Sequence, residues 1–398
     1  RRSRPLGAPG CVYCSHLRAP TMYRRRLFAR ASAAFAGAAA ASSFVRESAS
    51  EGLCEAAGKE RGTDRGKDRG KTLSLVEQLT KVPPFDPHGS RYDMQTYGGR
   101  CLHFFSVIGD LSTLATTQAQ VERCREQLSH AGEPRGEESP TDAELWRARQ
   151  VLMAVVHPQT GEVIPAVLRF SFFAPANLVI CAGLLSPGAT LARTGFFQWL
   201  NQTYNVAVNY ANRSSGDVSP ATLGAAYCAA TSSSLAIALG LQAAATRLGG
   251  GGGGGGLLRL TVPALAVCVG GVVNLLMTRG HELRHGVAVH AADGTPLGES
   301  VAAARLALLE CSAARVVWSL GLLTLTPLLA APVAARMRSP AAAVGVELAV
   351  SFALIWAIVP CAMAIFPQHA AVRLSALEPD LGGAGWDRDA LVYYNKGL

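Results

Sequence analysis

The chain has 398 residues, 49% hydrophobic and only 16% charged, where a soluble domain carries about 25% charged residues. That shortfall points to a membrane protein. The net charge of +9 comes entirely from residues 1–46, which hold nine arginines and no Asp, Glu or Lys; the rest sums to zero and leaves no basic surface for nucleic acid.

Residues 1–46 read as an organelle-targeting arm, rich in Arg, Ala and Ser around MYRRRLFARASAAFAGAAAASSFVR (Met22–Arg46). Such a segment is normally removed, and it is excluded from the fold. The bland alternative is a disordered basic tail or upstream sequence translated in error. Residues 47–72 are charged, Gly-rich and aperiodic, as a flexible linker is. Residues 73–162 read as a soluble, mostly helical N-terminal region. In SPTDAELW, Thr141 can cap a helix with Glu144 completing a capping box. Leu145, Leu152 and Val156 then share a face, and Pro158 in HPQTGE stops the helix. Of the ten cysteines, Cys181, Cys228, Cys268, Cys311 and Cys361 lie in or beside apolar stretches, where Cys acts as a small hydrophobe.

Residues 163–372 read as a transmembrane bundle, because a bilayer-spanning helix needs about 20 mainly apolar residues. Five runs meet or approach this: Phe170–Leu185, Ala221–Thr246, Leu260–Thr278, Val316–Ala335 and Leu348–Val372. Arg169 precedes the first run and can snorkel or line a cavity. Arg247, Arg259, Arg279, Arg315 and Arg336 bracket the others. The octaglycine Gly249–Gly256 reads as a flexible loop. Residues 373–398 form a C-terminal tail.

The segment NQTYNVAVNYANR (Asn201–Arg213) places asparagines at 201, 205, 209 and 212. On a helix over 191–212 these share a side with Thr194 and Gln198, while Phe196, Trp199, Val206 and Tyr210 lie opposite. A row of amides offers donors and acceptors that can replace the hydration of a small zwitterion without trapping it, and Arg213 can attract a carboxylate. Three readings stay open: substrate contact, polar glue between helices, or an interfacial helix with its amides in water. The candidate substrate contacts are Asn201, Asn205, Asn209 and Arg213, then Gln202 and Asn274, then Asn177.

HELRH (His281–His285) matches the HExxH pattern of zinc proteases, with Glu282 as the general base. Gly286 would end the helix at its second ligand, and VAVHAADGTPLGES reads as a short strand, a turn at Asp293–Gly294 and a new helix start. A membrane zinc protease is therefore a remote alternative.

From Tyr92 to Leu398 the chain resembles the sideroflexins, mitochondrial inner-membrane carriers. The resemblance rests on YDMQTYGGRCLHFF (Tyr92–Phe105), ELWRAR (Glu144–Arg149), HPQTGE (His157–Glu162), FQWLNQTYNVAVNYANRSSG (Phe197–Gly216), GTPLGES (Gly294–Ser300), FPQ (Phe366–Gln368) and YYNKGL (Tyr393–Leu398), in the family's order. It implies transport of a small neutral amino acid, with serine the leading candidate, in support of one-carbon metabolism. Three positions depart from the family pattern. Gln159 replaces an aspartate, and in NLLMTR (Asn274–Arg279) Leu276 replaces a proline and Thr278 a methionine. Losing that proline removes an expected helix break. Both histidines of HELRH are additions to the pattern.

The expected architecture is an all-α membrane protein with about five transmembrane helices, an amphipathic helix and a helical N-terminal soluble region. The expected function is alternating-access transport of serine, by facilitated diffusion or exchange. No enzymatic activity, cofactor, metal or nucleic acid is called for. The partners are the amino acid and the lipid bilayer, with room left for a homo-oligomer. The alternative is a non-transporting membrane scaffold or assembly factor.

Overall fold

A computed structural model describes residues 75–398, apart from 88, 132–138, 158–159, 186–190, 213–223, 226, 230, 234, 237–239, 241–267, 384 and 398. The N-terminal region holds helices α1 (Leu75–Thr80), α2 (Tyr97–Ile108), α3 (Gln118–Ser129) and α4 (Asp142–Val155). The capping box of α4 forms as its sequence dictates: Glu144 N donates to Thr141 Oγ1 at 3.3 Å and Thr141 N to Glu144 Oε2 at 2.8 Å. The buried face of α4 is Leu145, Trp146, Ala148, Val151, Ala154 and Val155. Leu152 and Val156, expected inside with Leu145, are only half-buried. Val151 and Val155 pack on Val121 of α3, with Leu152 and Val156 at the edge of the same cluster.

Helix α2 docks the N-terminal region onto the bundle. Phe104 and Ile108 pack against Ile355, Val359, Met363 and Ala364. Arg100, 1% exposed, donates to the carbonyls of Ala364 (2.8 Å), Gln95 (3.0 Å) and Met94 (3.1 Å). Tyr97 Oη donates to the Cys361 carbonyl at 3.0 Å. A hydrogen bond from Cys361 draws the Cys101 thiol down to about 7 against the opposing effect of burial, helped by Tyr97 and by the charge of Arg100. Only the thiolate alkylates. Labelling of Cys101 by iodoacetamide, followed by mass spectrometry, is thus expected to rise with pH through a midpoint at about 7. Cys361→Ala should move that midpoint upward.

Two 3-10 turns (Ala166–Leu168 and Phe170–Phe172) lead into α5 (Phe173–Leu185) and then α6 (Leu191–Ala211). Arg169 is buried and donates to the carbonyls of Ile164 (2.9 Å) and Thr113 (2.5 Å). It fastens the turns to the N-terminal region and does not snorkel. Gly183 lets α5 and α6 approach closely, since a Cβ there would overlap the Phe197 ring.

Helix α7 (Cys268–Arg279) runs unbroken through Leu276, as expected from the absence of proline there. After it come a short helix α8 (Glu282–His285), strands β1 (Val287–His290) and β2 (Pro296–Ser300), helices α9 (Val301–Ala334) and α10 (Pro340–Met363), and strands β3 (His369–Arg373) and β4 (Leu391–Asn395). The strand and the Asp293–Gly294 turn expected after HELRH are present: Gly294 has φ +87° and Thr295 N donates to Asp293 Oδ1 at 2.9 Å.

The all-α expectation needs correction. The four strands form one antiparallel sheet in the order β2-β1-β4-β3. The C-terminal stretch supplies its β4, with Val289 opposite Tyr394 and Ala370 opposite Tyr394 on the other side. Val289, Val392 and Tyr394 pack on Ala303 and Ala307 of α9.

Among the described residues, α9 and α10 are long and apolar enough to cross a membrane. Both depart from the predicted bounds. Ser300 caps α9, whose first residue, Val301, lies fifteen residues before the predicted span start at Val316. Ser339 caps α10 with Pro340 at its first position, and the helix ends at Met363, so the last residues of the predicted span become β3. The first predicted run yields only the 13-residue α5, about 20 Å of helix against a hydrocarbon core of about 30 Å. Of Ala221–Thr246, residues 224–225, 227–229, 231–233, 235–236 and 240 are described and are helical. Of Leu260–Thr278, residues 268–278 are described and belong to α7, while 260–267 lie outside the described residues. The 34 residues of α9 extend about 50 Å, more than the hydrocarbon core spans. A sheet with open edges cannot be solvated by lipid. The sheet and the first turns of α9 therefore lie outside the core, on the same side as α2.

Candidate functional site

Helices α6, α7 and α9 converge through polar side chains just inside the sheet side of the bundle. On α6, Asn209 Nδ2 donates to Asn274 Oδ1 on α7 at 3.0 Å. Arg315 on α9 donates to Asn209 Oδ1 at 2.8 Å. The Arg315 guanidinium stands 5.5 Å from the Trp318 ring centroid. Leu275, Leu308 and Cys311 form the apolar contact that holds α7 on α9 beside this junction. Asn274 is 2% exposed and its Nδ2 has no hydrogen-bond partner among the described residues.

The amide row leads along α6 to this point. Asn205 Nδ2 donates to the Asn201 carbonyl at 2.9 Å and to Asn201 Oδ1 at 3.2 Å. Gln202 is half-buried beside them. Asn212 Nδ2 donates to the carbonyls of Leu168 (3.0 Å) and Val208 (2.8 Å), so it ties α6 to the 3-10 turns. Phe196 and Trp199, on the opposite face, are exposed as lipid contacts would be, while Val206 is buried. Asn177 of α5 donates to its own helix, at the Phe173 carbonyl (2.8 Å). The structure thus brings Asn209 and Asn274 together directly, with Asn205 and Asn201 in the same row. Asn177 stands apart, and Arg213 lies outside the described residues.

Arg315 was legible only as the flank of an apolar run. With α9 starting at Val301 it stands about four turns inside the helix. A second charged group lies nearer the sheet. Arg279 at the end of α7 meets Glu282 of α8 through bonds of 2.8 and 2.7 Å. It also donates to the Lys396 carbonyl (3.0 Å) and contacts Cys311 Sγ (3.4 Å). Glu282, the base of the zinc-protease reading, is 3% exposed and committed to this ion pair. Gly286 follows with φ +90°, and its Cβ would lie 2.8 Å from the Ser300 backbone, so only glycine fits there. Lys396 is buried, donates to the carbonyls of Met363 and Phe366 at 3.2 Å each, and sits over the Phe366 ring. Burial pulls its ammonium below the ordinary lysine range.

The described portion thus presents a buried Arg279–Glu282 ion pair next to the sheet and a buried amide–guanidinium junction deeper in the bundle. The second can exchange hydrogen bonds with a small polar solute, because its donors exceed its acceptors.

Comparison with known proteins accounts for most of the chain. The sideroflexin family model matches residues 86–398. Sideroflexin FSF1 of Saccharomyces cerevisiae is 36% identical over 325 residues, covering 79% of this chain and 98% of its own. The Dictyostelium discoideum sideroflexin is 32% identical over 324 residues, covering 79% and 98%. Human Sideroflexin-5 is 34% identical over 321 residues, covering 79% and 94%. No solved structure matches. The chain belongs to the sideroflexin family.

Proposed function

We propose that the chain carries a small neutral amino acid, serine foremost, across the mitochondrial inner membrane by alternating access, and so supports one-carbon metabolism. The observation that carries this reading is the junction of Asn209, Asn274 and Arg315, where three helices meet through neutral amides and one guanidinium. Such a junction suits a zwitterion: the amides replace its hydration shell and no fixed pair of opposite charges holds it in place. Asn201 and Asn205 extend the path, with Gln202 beside them; Arg213 and Asn177 are further contacts. Family membership and two helices fit to cross a membrane support the same reading.

The test is uptake of radiolabelled serine into liposomes holding the purified chain, in competition with other amino acids. Saturable uptake, reduced most by small neutral amino acids, is expected. Uptake no greater than in empty liposomes contradicts it.

A specific observation favours a second reading, the non-transporting scaffold. Asn212 uses its amide to fasten α6 to the 3-10 turns, and Asn209 ties α6 to α7, as polar glue between helices does. Under that reading the liposomes take up nothing, while loss of the amides lowers stability.

A further inference from the structure

We infer that Arg315, with Asn274 and Asn209, is a carboxylate subsite, the specificity-determining element that receives the α-carboxylate of the solute. The inference rests on the carrier reading and names the group recognised at its site.

Two buried arginines flank Cys311, and they differ in one respect. Arg279 has both oxygens of Glu282. Arg315, 9% exposed, has one amide oxygen at 2.8 Å and the Trp318 ring. Among the described residues no carboxylate lies within ion-pair distance of it. An unneutralised guanidinium inside a membrane bundle is costly and, where it occurs, marks a functional path. One neutral acceptor and a ring face offset only part of that cost. A carboxylate offers the matching partner, since its two oxygens accept two parallel N–H bonds from the planar fork.

Asn274 has the same deficiency. Its Oδ1 accepts from Asn209, which fixes the amide and leaves Nδ2 buried without an acceptor. Asn209 in turn is fully oriented, its Nδ2 donating to Asn274 and its Oδ1 accepting from Arg315. The junction therefore holds a buried amide donor without an acceptor and a guanidinium with a single oxygen partner, and no acidic side chain among the described residues supplies them. A lysine would present a mobile point charge; the guanidinium fork and the amide together fit a planar anion. The shared chemistry is a free monocarboxylate, which an amino acid or a simple hydroxy acid can provide. Arg315 is a solute contact here, and its bond to Asn209 also positions the amide row.

The full chain in detergent tests this by ligand-induced thermal stabilisation with serine, serinamide, ethanolamine and 3-hydroxypropionate, alongside uptake in liposomes. Serine should stabilise the chain and serinamide and ethanolamine should not; partial stabilisation by 3-hydroxypropionate would show that the carboxylate suffices without the amine. Arg315→Gln should weaken serine binding by about tenfold or more, and Arg315→Lys should restore part. A purely structural arginine would lower the unliganded melting temperature and leave the ratio of serine to serinamide unchanged, which overturns the inference. If Arg315→Gln does not fold, Asn274→Asp decides. It is nearly isosteric and supplies the missing carboxylate within the protein, so it should raise the unliganded melting temperature and abolish serine binding. Serine binding by Asn274→Asp at wild-type strength, or serinamide bound as well as serine by the wild type, overturns it. Carboxylate-dependent binding without uptake upholds the subsite and removes the carrier reading. Uptake of serinamide equal to that of serine removes the subsite and leaves the carrier.

Discussion

Replacing Glu282 by alanine is expected to destabilise the chain by about 3–5 kcal/mol, the cost of leaving a buried charge without its partner. The side chains of Arg279 and Glu282 are 9% and 4% exposed, and two bonds join them. Arg279 also holds the Lys396 carbonyl at the end of β4. Removing the carboxylate therefore strands the guanidinium and loosens the place where α7, α8, α9 and the C-terminal stretch meet. The double variant Arg279→Leu with Glu282→Leu should recover much of the loss, because apolar replacement of both partners removes the desolvation cost as well as the attraction. Thermal unfolding in detergent measures both. A Glu282→Ala chain as stable as the wild type would show that the pair carries no structural weight.

Asn209→Leu is expected to cut serine uptake by at least about tenfold, since it removes the group that orients both Asn274 and Arg315. It also leaves a buried guanidinium with no oxygen partner among the described residues, so a stability loss of about 1–3 kcal/mol should accompany it. Asn205→Leu separates the two effects. Among the described residues its amide bonds only to Asn201 of the same helix, so its loss should barely change unfolding while lowering uptake. If both variants lose uptake only in proportion to lost stability, the amides are glue and not a path.

The sequence announces its local features because their determinants lie a few residues apart. Thr141 and Glu144 cap α4 from three residues apart, and the period of Asn201, Asn205 and Asn209 draws α6. Asp293 and Gly294 make their turn alone. The sheet was not legible because its pairings are long-range. β1 finds β4 about a hundred residues on, and β2, PLGES, contains a proline and a glycine that argue against a strand. The new helix start expected at the end of GTPLGES is the Ser300 cap of α9, but hydropathy marked only the second part of that helix. Arg305, Glu310 and Arg315 interrupt the apolar run, yet the alanines and leucines around them are strong helix formers, and Ser300 supplies the cap. That shift converts Arg315 from a flanking charge into a buried one. Lys396 was read as part of a tail, because nothing local in YYNKGL reveals that its ammonium would find carbonyls of Met363 and Phe366.

The central claim is that the amide junction of α6, α7 and α9 is reached by solute from water. Thiol accessibility at Asn209→Cys, read against the wild-type cysteines in reconstituted membranes, tests it most directly. The account predicts that the new thiol reacts with a small membrane-impermeant methanethiosulfonate reagent added from at least one side. A thiol that stays unreactive from both sides would contradict it.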